Sequence, residues 1–344
     1  MKKFGKRNAR RGFTLIELLA ATAIMIVLVL FVTNIAVNML RIYDRTVATL
    51  ATNADSGILL DAMQEDLLSA SMPDDGNTWF EVRYESDVGN IAKNSAPELM
   101  FFARPQDRIR RSRSSTETLP GDLCAVSYKL AHQSPFGSRV SSSSAGNLVY
   151  GTYRAVLNAE DTFEFALPYV IGQKGDSSSS KLPSRFWKGG DQIEDPSDQK
   201  KYSASAWRTE MQNFLVDGIV DVSVFFWFDD FTDGERKIAV VNNSKIVQRL
   251  RDLFPETKVV TFEKSLAASA GAIVLDEDFE GKTSGALRSA DVSVTVLSPE
   301  GKELLQALQE QGGSGKITAE QFEEILLEHG ATFSRACPMF GGKS

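Results

Sequence analysis

A chain of 344 residues with 42% apolar and 24% charged side chains is long enough for one or two domains and apolar enough to bury an ordinary core, which excludes a wholly disordered chain. The formal charge of −7 hides an asymmetry: residues 1–12 carry Lys2, Lys3, Lys6, Arg7, Arg10 and Arg11 and no acid, and without them the charge falls to −13. So acidic a body is a poor partner for phosphate backbones, whose binding is driven by Lys and Arg, and nucleic acid is not expected among the partners.

The basic segment runs into Leu15–Val32, LIELLAATAIMIVLVLFV, 18 residues with a single ionisable group. As a helix rising 1.5 Å per residue it covers most of a bilayer's hydrocarbon, so it reads as a membrane span. The six cations before it hold the N-terminus in the cytoplasm and send the remaining ~300 residues outward. A secretory signal peptide has an apolar region of about 7 to 15 residues followed by a small-residue cleavage site; here the run is longer and no such site follows. A plain signal anchor explains everything except Glu17. An acid at a helix centre costs about 2.5–3.5 kcal/mol on insertion scales, somewhat less toward an end, and is usually functional and paired.

The segment Arg11-Gly12-Phe13-Thr14-Leu15-Ile16-Glu17-Leu18-Leu19 resembles the class III signal of type IV pilins and type II secretion pseudopilins along its whole length. The resemblance implies a prepilin peptidase that cuts after Gly12 and methylates the new terminus at Phe13. It also implies that Glu17 pairs with the N-terminal ammonium of a neighbouring subunit. Gly12 lacks a Cβ, which lets the backbone lie extended and close to a protease cleft.

Beyond Val32 the apolar residues thin to one face, with Ile35, Leu40, Val47, Leu50, Leu59, Met63 and Leu67 among polar neighbours and no proline before Pro73. This predicts one long helix over 13–71, its second half amphipathic and lying on a sheet. Runs rich in β-branched and aromatic residues follow at 79–84, 98–102, 123–131, 147–157, 215–228 and 291–297 and read as strands. Alternation in Asp291-Val292-Ser293-Val294-Thr295-Val296 predicts antiparallel pairing with one buried face. Ser298-Pro299-Glu300 opens a short helix, Thr318 with Gln321 forms a capping box for another, and 331–339 returns as a last strand. The fold class is α+β: a long N-terminal helix packed on an antiparallel β-sheet, enlarged by long loops. The expected organisation is a cleaved leader at 1–12, a transmembrane half-helix at 13–33, an amphipathic half-helix at 34–72 and an extracytoplasmic domain at 73–344.

Cys124 and Cys337 are the only cysteines. In an oxidising compartment they can form one bridge, or they can be two separate buried thiols; residue types leave both readings open. Asp276-Glu277-Asp278-Phe279-Glu280-Gly281 has the first half of a calcium-loop pattern, but Leu287 stands where the bidentate Glu belongs, so an acidic loop is expected and no metal. Asp229, Asp230, Asp233 and Glu235 could gather a cation, yet Asp233-Gly234 reads first as a hairpin turn. Arg104, Arg108, Arg110, Arg111 and Arg113 form a basic run that reads as a solvated loop. His132 and His329 fall in no catalytic or metal motif, so no enzyme activity and no cofactor are expected.

Several body segments, 56–73, 124–133, 147–156, 214–227 and 291–297, resemble the helix end and strands of the J-class minor pseudopilins. Thr332-Phe333-Ser334-Arg335 is similar to a Thr-x-Ser-Arg strand of large J-like proteins from verrucomicrobial gene cassettes, the cassette protein C type. The resemblance implies a minor pseudopilin that helps initiate or cap a type II secretion pseudopilus, with prepilin peptidase, other major and minor pseudopilins and the inner membrane as partners. The alternatives are a minor pilin of a type IV pilus or DNA-uptake system, and a membrane-tethered periplasmic binding or hydrolytic domain.

Overall fold

The computed structural model describes residues 14–73, 78–86, 95–105, 109–111, 118–120, 123–133, 149–157, 159, 162–167, 192–194, 201–203, 211–241, 243–262, 265–269, 271–274, 283–311 and 317–339. Contacts divide the chain into Met1–Ala51 and Thr52–Ser344. Helix α1 (Leu15–Leu68) is the long helix the apolar pattern predicts. Within the first unit its large apolar side chains, from Leu15 to Leu50, are exposed.

In the second unit, Thr52, Ser56, Leu59, Leu60, Met63, Asp66 and Leu67 form one buried face at spacings of three and four. The apolar stripe expected from Ile35 onward therefore reaches a core only at Thr52, and Ile58 stays half exposed. α1 stops at Leu68, short of the expected Ser71, because the sheet captures the chain there. Ala70 bridges Ala103, and the Ser71 N–H donates to the Phe102 carbonyl at 2.8 Å.

The strands in chain order begin with β1 (Phe80–Ser86), β2 (Ser95–Ala103), β3 (Ile109–Arg111), β4 (Thr118–Pro120), β5 (Cys124–Gln133), β6 (Val149–Val156), β7 (Gln192–Glu194) and β8 (Lys201–Ser203). They continue with β9 (Phe214–Asp217), β10 (Ile219–Asp230), β11 (Arg236–Val241), β12 (Val259–Phe262), β13 (Ser265–Ser269), β14 (Ala272–Val274), β15 (Thr283–Leu297) and β16 (Gly330–Pro338). Twelve of them form one sheet in the order β12-β11-β10-β15-β14-β13-β1-β2-β5-β6-β9, with β16 also paired to β15; β3–β4 and β7–β8 are separate two-stranded pairs. β9 and β10 are one stretch of chain bent at Gly218, whose φ of +75° suits a residue without a Cβ. That stretch pairs β6 at one end of the order and β15 near the other, so the sheet curls back on itself. Phe226 of β10 accordingly meets Phe80 of β1 edge-on at 5.4 Å across the core.

Among the described residues the body has three further α-helices: α2 (Ser244–Leu253), α3 (Pro299–Gln311) and α4 (Ala319–His329). The Thr318 hydroxyl accepts from the Gln321 N–H at 3.3 Å and Gln321 Oε1 accepts from the Thr318 N–H at 3.1 Å, the predicted reciprocal cap. The 236–274 stretch, for which the sequence suggested no element, holds a β11–α2–β12 crossover with parallel strands. Ile238 and Val240 pack under Ile246, Val247 and Leu250 of α2, while Ala239 and Val241 face the main core. A strand buried on both faces shows no alternation, and a parallel pair needs a crossover helix.

The bridge between Cys124 and Cys337 is not formed. Both thiols are buried and not bonded to each other, one on β5 between β2 and β6 and the other on β16 beside β15. Burial pushes the Cys337 thiol up to about 11. A maleimide is expected to leave the native chain unlabelled and to modify both cysteines in urea without added reductant; a requirement for reductant indicates a bridge instead.

Candidate functional site: the start of the long helix

Gly12 and Phe13 lie outside the described residues. The first described residue, Thr14, caps α1. Its N–H and its hydroxyl donate to Glu17 Oε2 at 2.9 and 3.0 Å, and its Oγ1 accepts from the Glu17 N–H at 3.3 Å. Thr14-Leu15-Ile16-Glu17 is thus a capping box, with Glu17 closing the orphan donors of the first turn. The sequence carried that signal as Thr-x-x-Glu, and Thr14 was the residue missed. Both hydrogen bonds to the carboxylate fall on one oxygen, and a carboxylate has about four acceptor sites, so Glu17 keeps capacity for an external donor.

After this turn α1 runs apolar on every side. It is long and apolar enough to cross a membrane, with a window of mean hydropathy 2.8 that is wholly unburied. Its hydroxyls turn inward: Thr22 donates to the Leu19 carbonyl at 3.0 Å and Thr33 to the Val29 carbonyl at 2.8 Å. They need no partner from outside the helix, which lowers the cost of placing them in hydrocarbon.

Within the body, the last turns of α1 are tied down by charge. Asp66, fully buried, accepts two hydrogen bonds from the Arg154 guanidinium at 2.7 Å each and one from the Tyr128 hydroxyl at 2.6 Å. Burial and the adjacent Asp66 carboxylate push the Tyr128 phenol well above its ordinary value. Arg335, from the Thr-x-Ser-Arg stretch on β16, donates to Asp61 Oδ1 and to Gln64 Oε1, the latter at 3.2 Å. In the same stretch the Thr332 and Ser334 hydroxyls meet Thr295 and Ser293 at 3.0 Å each. Lys302 of α3 lies 3.1 Å from Asp217 and 3.8 Å from Asp55 of α1.

The other sequence candidates are placed as follows. At the β10–β11 hairpin the acids pair with cationic side chains of the chain itself. Lys237, almost fully buried, donates to Asp230 at 2.6 Å and to Asp233, while Asp229 takes Arg236 at 3.0 Å and Arg288 at 2.7 Å. The cation that the acids could hold is the chain's own ammonium, and Gly234, with φ +72°, makes the expected turn. Hydrogen bonds from Lys237, then from the Thr232 N–H, lower the Asp230 carboxyl to about 2. A depressed folded-state value stabilises above the unfolded value near 3.9, and that contribution is lost as pH falls toward 2. Lys237→Met is therefore expected to lower the urea midpoint near neutral pH, with the gap from the parent narrowing between about pH 4 and 2.

His132 stacks on Tyr150 at 4.5 Å, and His329 closes α4 beside Glu328 at 3.8 Å; the two share no site. Among the described residues no group of three or more His, Cys, Asp or Glu is arranged to hold a metal ion. The 276–281 stretch, Arg108 and Arg113 lie outside the described residues, and Arg104 is exposed.

Compared with known proteins, residues 7–33 match the family described as the Prokaryotic N-terminal methylation motif. No curated protein and no solved structure matches the chain.

Proposed function

Taking the methylation motif at residues 7–33 as premise, we propose that this chain is a minor pseudopilin: a structural subunit that helps initiate or cap a type II secretion pseudopilus. The observation that carries the reading is a lone carboxylate, Glu17, in the first turn of a 54-residue helix that is apolar and unburied along its first half. Prepilin peptidase cuts after Gly12, methylates Phe13 and so creates an ammonium four residues from that acid. In the filament Glu17 of one subunit takes the ammonium of the next. Two such charges about 4 Å apart attract by roughly 4 kcal/mol at an effective dielectric of 20, comparable to the cost of burying the acid. The subunit is then comfortable in lipid only beside another. The six leader cations keep the N-terminus cytoplasmic, which leaves the sheet domain in the periplasm.

The body supports a structural role, since the buried Asp66–Arg154 pair fixes the last turns of the helix to the sheet and Lys302 reaches Asp55 from α3. Support for the J class is the resemblance of its late strands, with Thr332-Phe333-Ser334-Arg335 lying on the strand β16.

N-terminal sequencing of the membrane-extracted chain, made in cells that have the peptidase, tests the reading. The expected first residue is N-methylated Phe13, and Gly12→Ala is expected to retain residues 1–12. A parent chain that still carries its leader in those cells overturns the assignment.

A further inference from the structure

A cleft of about 220 Å³ opens between α2 and the face of β10, β15 and β16 that points away from the main core. It is smaller than the roughly 300–1,000 Å³ of sites for drug-sized ligands, so it accommodates one ring and not a cofactor. Its floor is set by register: Ser223 pairs Ser293, and Ser293 pairs Ser334, which lays three hydroxyls in a row across three strands. The next row along is Phe225, Asp291 and Ala336. The wall is the apolar side of α2 and the turn after it, with Ile246, Leu250, Leu253 and Phe254. The rings of Phe225 and Phe254 stand 6.3 Å apart at 57°.

Three charged groups border this surface, and one of them, Arg335, is already engaged with Asp61 and Gln64. Asp291 Oδ2 accepts from the Trp227 indole at 3.0 Å, while its Oδ1 is buried with no hydrogen-bond partner among the described residues. Burial accordingly raises the Asp291 carboxyl above its ordinary value. Arg249, exposed on α2, lines the opposite side. An anion in the cleft meets Asp291, and a cation meets Arg249. A wholly apolar group covers the serine hydroxyls without replacing their hydrogen bonds. A neutral ring with an apolar C–H face and several hydroxyls suits all three surfaces: the face lies on the aliphatic and aromatic wall, and the hydroxyls reach acceptor, donor and serine row.

We propose that the α2–β15 cleft binds one pyranose unit of a neutral glycan. The site is independent of the filament reading, because none of its residues belongs to the methylation motif or to α1.

The test uses the full-length chain in lipid nanodiscs, since glycoside detergents compete for such a site. Saturation-transfer NMR is run with the methyl pyranosides of glucose, galactose, mannose and xylose, with their short oligosaccharides, and with N-acetyltyrosinamide as the aromatic control. Transfer to the ring protons of at least one pyranoside is expected, and tighter binding of its oligosaccharide identifies a polymer as the source. Ser334→Trp and Leu253→Arg, both at exposed positions, are each expected to abolish the signal, and Asp291→Asn to weaken binding about tenfold. Transfer from none of the sugars, transfer unchanged in both blocking variants, or transfer confined to the tyrosine amide overturns the proposal. Failure of leader processing in the separate N-terminal experiment leaves this readout unaffected.

Discussion

Glu17→Ala is expected to yield a chain that is cut after Gly12 and methylated as usual, yet is absent from filament fractions. In the proposed function the peptidase reads Gly12 and the flanking residues, whereas Glu17 acts only once a second subunit presents its ammonium. An attraction of roughly 4 kcal/mol corresponds to about a thousandfold in the local association constant. Glu17→Gln separates the two roles of the side chain. Its amide oxygen can still accept from the Thr14 N–H and hydroxyl, which lie 2.9 and 3.0 Å from Glu17 Oε2, but it carries no charge for a neighbour. Co-isolation of Glu17→Gln with filament subunits is therefore expected to fail nearly as completely as that of the alanine variant. Thr14→Val loses the cap alone, worth about 1 kcal/mol, and is expected to assemble. Normal assembly of Glu17→Ala removes the pairing from the account.

The largest loss of stability is expected from Asp66→Ala. Asp66 is fully buried, and its removal leaves the Arg154 guanidinium, itself 13% exposed, without the two bonds it makes at 2.7 Å. Deleting one partner of a buried pair costs about 3–5 kcal/mol, because the other charge remains desolvated. The Tyr128 hydroxyl loses its acceptor at the same time. Urea denaturation of the full chain, followed by tryptophan emission, measures the effect. The double variant Asp66→Leu with Arg154→Met is expected to recover most of the loss, since replacing a whole buried pair by apolar groups is close to neutral. A single variant as stable as the parent shows that Arg154 finds another partner. Because Asp66 lies on α1 and Arg154 on β6, the same change loosens the helix from the sheet, and a body left mobile on its helix cannot dock in a fixed orientation.

Much of the chain could be read locally. The six cations of residues 1–12, the apolar run and the single acid sit within the first 32 residues, and each acts through its own chemistry. The strands at β1, β2, β5, β6, β10 and β15 were visible because β-branched and aromatic residues concentrate there, even in β2, where Leu99 and Phe101 face one cluster and Met100 and Phe102 another. The Thr318–Gln321 cap was visible because its two residues are adjacent on one turn. The crossover at β11–α2–β12 was not, although Ile246, Val247 and Leu250 do carry a short helical period. Its strand Arg236–Val241 is short, lacks aromatic residues and is covered on both faces, so it shows neither alternation nor an aromatic signal.

By itself, then, the amino-acid order determined the anchor, the processing motif and the α+β class, since these depend on neighbours within a turn or a strand. The tertiary structure alone decided what Asp66 binds across 88 residues, that Asp230 and Asp233 hold Lys237, and that the Cys124 and Cys337 thiols are buried and not bonded to each other. It also decided that three serines from three strands line one cleft. Such pairings are set by strand order and register, which arise from how the whole sheet closes and leave no trace in the spacing of the residues they join.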